Sequence, residues 1–136
     1  MPSTRHKART IALQALYEAD SSARPAGKVI ERLLSDIRLS EETAVFARGL
    51  VDGTFRHREE IDLKIKQFAP AWPVEQIAMI DRNILRLAIF EILFDNKVPV
   101  KVAVSEAVEL AKTFGSGNSA RFVNGVLGSV SALSSR

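Results

Sequence analysis

Residues 98–114 read VPVKVAVSEAVELAKTF, and the fold depends on how this run is taken. Valine stands at positions 98, 100, 102 and 104, the alternation expected of a half-buried strand. From there to Phe114 the apolar residues recur with the helical period instead. The spacing therefore predicts a helix that starts inside the valines and stops at Gly115, a residue that commonly ends helices.

Working outward, Asp95-Asn96-Lys97-Val98-Pro99 has the composition of a turn. Before it, Val74 to Phe94 is apolar on most of its circumference, which predicts a central, largely buried helix. APAWP stops the preceding element, and Pro73 suits the first position of that central helix. After Gly115, the loop Gly115-Ser116-Gly117-Asn118 leads to Ser119, read as the cap of a last helix carrying Phe122, Val123, Val126, Leu127 and Val130.

Towards the N-terminus, Ala8, Ile11, Ala12, Ala15, Leu16 and Ala19 mark a first helix whose small residues suit close packing. Val29, Ile30, Leu33, Leu34 and Ile37 follow the break SSARPAG and mark a second. Ser40 is placed to cap a third, with Glu41 and Glu42 complementing its dipole. That helix carries Val45, Phe46, Leu50 and Phe55 and is read through HREE towards Phe68. Five to seven helices with no convincing strand predict an all-α bundle, read as one domain over residues 1–136.

An apolar share of 46% with 26% charged residues is that of an ordinary globular chain. With no cysteine, disulfides and thiolate metal sites are excluded. The most apolar run, Ile77 to Phe94, is broken by Asp81, Arg82, Asn83, Arg86 and Glu91, too many polar groups for a membrane span. No apolar stretch of the signal-peptide kind follows the basic start, so the expected location is the cytoplasm.

The charge pattern is uneven. Lys and Arg total 19 against 16 acids, and Arg5, Lys7 and Arg9 all precede the first acid, Glu18. The whole net charge of +3 therefore sits at the start of the chain. Cations in the first turns of a helix oppose its dipole by a few tenths of a kcal/mol each, roughly, a cost that an external polyanion offsets. Lys7, Thr10, Gln14 and Tyr17 form a stripe beside Arg5 and Arg9, and such hydrogen-bonding and stacking groups suit phosphates and unpaired bases. The alternative is a solubilising terminus.

Catalytic groupings are absent from the pattern. His6 and His57 have no His, Asp or Glu at metal-ligand spacing, and His57 reads as a solvated helix residue. The Gly-Ser loop lacks the Lys-Ser/Thr of a phosphate-binding loop. On the central helix Arg82 and Arg86 are like charges at i, i+4, with Glu106 and Glu109 as the expected partners. Arg86, among Leu85, Leu87 and Ala88, is expected to be a buried strut. Asp81 and Glu75 either complement the helix dipole or face a partner as exposed acids. Of Phe114 and Phe122, one is expected in the core and the other at a binding rim.

DRNILRLAIFEIL (81–93), VPVKVAVSEAVELAKTFGSGNSARFVNGVLG (98–128) and the opening RHKARTIALQALYEAD (5–20) resemble the NusB family of transcription antitermination proteins. Residues 23–72 are similar only in helical pattern. The resemblance implies an all-α fold of about seven helices in two packed bundles, a non-enzymatic role and no cofactor. It further implies pairing with NusE, a small-subunit ribosomal protein, and binding to the boxA element of nascent single-stranded RNA. Other Nus factors and RNA polymerase would join the antitermination complex on ribosomal RNA operons.

Carried over by position, Arg5, His6, Lys7 and Arg9 match the family's arginine-rich start, and Asn118 and Arg121 match a second RNA-facing region. Tyr17, Asp81 and Phe122 match positions that face NusE. His6 stands where Arg is common, Ser105 where Asn is usual, Phe90 where Tyr is common, and Asp81 where Glu is often found. Alternatives from other classes are a free-standing accessory of ribosomal RNA modification and a protein-interaction module with an incidental basic arm. Monomer and homodimer both remain open.

Overall fold

A computed structural model describes residues 4–134. Among the described residues seven α-helices carry the fold: α1 (Thr4–Ser22), α2 (Ala26–Ser35), α3 (Glu41–Arg56), α4 (Arg58–Phe68), α5 (Met79–Ile89), α6 (Val100–Phe114) and α7 (Ser119–Ser131). Among the described residues there is no strand, so the expected all-α class holds. The valines at 100, 102 and 104 lie in the first turns of α6, with Val98 and Pro99 preceding it.

The chain forms two compact units, residues 1–56 and 57–136. In the first, α1, α2 and α3 pack pairwise. Ala8, Ala12 and Ala15 of α1 are fully buried, and their small side chains admit neighbouring helices closely. Val29 and Ile30 of α2 and Ala47, Leu50 and Val51 of α3 complete that core. Ser40 caps α3 as expected, its hydroxyl accepting the Thr43 N–H at 3.1 Å. Arg48 of α3 forks onto Glu31 of α2, Nε to Oε2 at 2.7 Å and Nη2 to Oε1 at 3.1 Å. This hydrogen-bonded guanidinium holds the Glu31 carboxyl below its ordinary pKa.

In the second unit α5 is central, touching α4, α6 and α7, and every residue from Asn83 to Ile89 is buried. It is shorter than the sequence suggests at both ends. Val74–Gln76 is a separate 3₁₀ turn capped by Pro73, and Ile77 and Ala78 are extended, with ψ 138° and 132°. The helix restarts only at Met79, because two extended residues break the hydrogen-bond ladder. At the other end Phe90–Asp95 widens into a π-helical turn and closes at Asn96, whose φ of 57° is left-handed. The Asn96 N–H donates to Glu91 O at 3.3 Å.

One side-chain reading is extended here and another corrected. Arg86 is buried as expected, and it forks onto Asp62 of α4, a partner the sequence did not suggest. Its Nε and Nη2 donate to Oδ1 and Oδ2 at 2.8 and 3.0 Å, and Nη1 reaches Asn83 Oδ1 at 3.3 Å. Glu109 instead lies 3.5 Å from Lys112. Nor is His57 a solvated helix residue. It interrupts the helical run between Arg56 and Arg58, half-buried, with its ring stacked on Phe94 at 4.3 Å and 16°.

Candidate nucleic-acid interface

Helix α1 has no acid in its first turn, so its positive end and its cations add rather than cancel. Arg5 and Lys7 are exposed and His6 is half-buried. Arg9 is different: it is only 2% exposed. One turn apart, Arg5 and Arg9 converge on the same aromatic ring. Phe46 of α3 lies with its centroid 4.7 Å from the Arg5 guanidinium carbon and 5.5 Å from that of Arg9. These distances are those of cation–π attraction.

Further along α1, the Thr10 hydroxyl donates back to His6 O at 3.1 Å, while Gln14 and Tyr17 are exposed. Tyr17 keeps 42% of its surface. The nearest acid, Glu18, accepts from Arg32 of α2 and lies 3.8 Å from Arg24. It is thus engaged by cations that follow it in the chain.

The other candidates lie in the second unit. The loop before α7 is pinned by Ser119, whose hydroxyl accepts the Ser116 N–H at 2.8 Å. Ser119 therefore fastens the loop rather than capping α7. Asn118 holds the cap position, exposed, and its side chain makes no cap hydrogen bond. Gly115 ends α6 with φ −92°, not left-handed. A side chain is excluded there because a Cβ would meet Ser119 at 2.4 Å. Arg121 is exposed, Phe122 half-buried and Phe114 40% exposed, so neither aromatic is fully in the core.

Asp81, at the start of α5, is 8% exposed, and its buried Oδ1 has no hydrogen-bond partner among the described residues. Asp81 is thus covered rather than exposed at the start of the helix. Its neighbour Arg82 turns back to donate to Glu75 O at 3.0 Å. The sequence also missed Phe46, read there only as an apolar residue of the third helix. The available signal was the like-charged pair Arg5 and Arg9 at i, i+4, which needs something between them.

Residues 6–132 match the model of the NusB family. A transcription antitermination protein NusB from Dehalococcoides mccartyi is 56% identical over 131 residues, spanning 96% of this chain and 92% of that protein. One from Chloroflexus aggregans is 50% identical over 132 residues, covering 96% and 88%. Among solved structures, T. maritima NusB superposes with a TM-score of 0.92 at 28% identity, over 100% of this chain and 96% of that one. Antitermination factor NusB in a complex with NusE and double-stranded RNA gives 0.88 at 27% identity, over 98% and 99%. Family model, near relatives and fold agree along almost the full length, and the chain belongs to the NusB family.

Proposed function

We propose that this protein is a non-catalytic, cytoplasmic antitermination adaptor that pairs with NusE and binds boxA-containing RNA of nascent ribosomal transcripts. The observation that carries the reading is the start of α1, where exposed Arg5 and Lys7 stand at a helix end with no acid in its first turn. Such an end attracts phosphate through both the cations and the oriented N–H groups. A similar solved protein engages NusE and double-stranded RNA, which supports the same two classes of partner here.

In this reading residues 1–136 act as one RNA-binding domain. Arg5, His6, Lys7, Arg9, Asn118 and Arg121 form the RNA-binding set, with Arg9 the most deeply covered of them. Tyr17, Asp81 and Phe122 face NusE, Asp81 from a covered position at the start of α5. Other Nus factors and RNA polymerase complete the assembly. Among the described residues no helix is long and apolar enough to cross a membrane.

The test is fluorescence anisotropy of a labelled boxA RNA, single-stranded and as a duplex, titrated with this protein alone and then with NusE at two salt concentrations. Salt-sensitive binding of the single strand, tightened by NusE, is the expected result. Absence of binding in both settings refutes it.

A further inference from the structure

Resting on the RNA-binding reading of α1, we propose that Phe46 is a positioning residue of the arm: its ring holds the Arg5 guanidinium in place for phosphate. Two observations meet at this ring. Arg5, exposed, lies 4.7 Å from its centroid, and Arg9, buried one turn later, lies 5.5 Å away.

Like charges one helical turn apart repel, and Arg5 has many rotamers open to it at a helix terminus. The negative face of an aromatic ring reduces both difficulties, attracting the two cations and restricting the long side chain. Phe46 is itself half-buried in α3, a helix packed on α1, so it is a firm support. Arg5 then meets RNA with less freedom left to lose, and its affinity rises without Phe46 touching the nucleic acid.

The experiment is a double-mutant cycle on binding of the labelled single-stranded boxA RNA. Phe46→Leu keeps an apolar side chain of similar bulk but removes the ring, whereas Phe46→Tyr and Phe46→Trp keep it. Phe46→Leu is expected to weaken binding about threefold to tenfold, with Tyr and Trp restoring it. In an Arg5→Ala background the Leu substitution has no further effect. A purely structural role for Phe46 would weaken binding equally in both backgrounds and overturns the proposal. If Arg5→Ala weakens binding and Phe46→Leu does not, the positioning role fails while the arm remains. If neither changes binding, the RNA-binding reading of the arm fails as well.

A second measurement needs no variant. In the unaltered protein the Arg5 side-chain protons are expected upfield in the NMR spectrum, within the ring current of Phe46. Unshifted resonances overturn the proposal.

Discussion

A methyl group at Gly115 would sit 2.4 Å from the Cβ and Oγ of Ser119 and 2.7 Å from Ala111 O. Neither α6 nor the pinned loop can yield without losing the Ser116–Ser119 hydrogen bond, so Gly115→Ala is expected to cost about 1–3 kcal/mol. Urea denaturation measures it, and an unchanged midpoint contradicts the close approach. From sequence, glycine was readable here as a helix end, but the reason was not. A side chain four residues away blocks the position, and only folding brings it there. Arg86 shows the same split. Its flanking Leu85, Leu87 and Ala88 made burial legible, whereas Asp62, 24 residues earlier, was not a visible partner. Arg86→Met leaves Asp62 without its fork and is expected to cost about 3 kcal/mol, read as a lowered melting temperature. A variant that melts with the parent would show the pair to be dispensable.

Among the elements, α6 was legible despite its valines, because the helical period that follows outlasts seven residues of alternation. The start of α5 was not. Proline before an apolar run signals a helix of either kind, and it was the extended backbone at Ile77 and Ala78 that separated the 3₁₀ turn from the α-helix. The cap of α3 was readable because it is local. Ser40→Ala is expected to lower stability by about 1 kcal/mol, again measured in urea, since the Thr43 N–H loses its acceptor. The link between α2 and α3 gives a titration instead. Glu31 has its pKa lowered by Arg48, so any stability it contributes is present above the ordinary glutamate value and fades as pH falls through the lowered one. In Arg48→Met the Glu31 carboxyl is expected to titrate at higher pH, back towards its ordinary value, followed by carbon NMR. A titration curve that does not move would mean the fork is not formed in solution.

For the molecule as a whole, the charge of the basic start was legible because it is a count of residues, while the burial of Arg9 and Asp81 was not, since it depends on tertiary packing. The consequence for binding is quantitative. Each phosphate contact by a cation contributes roughly −0.7 to the salt slope for a single strand, so Arg5→Ala with Lys7→Ala is expected to flatten that slope by about 1.4. An unchanged slope would remove the arm from the interface.

The division at Arg56 also has a bearing on how the protein is made. Arg5, Arg9 and the ring they share all lie in the first unit, where α1, α2 and α3 pack pairwise. A ribosome adds about 5–20 residues per second. For several seconds, therefore, the nascent chain already carries both arginines and the ring they share, while the helices of the second unit are still being translated.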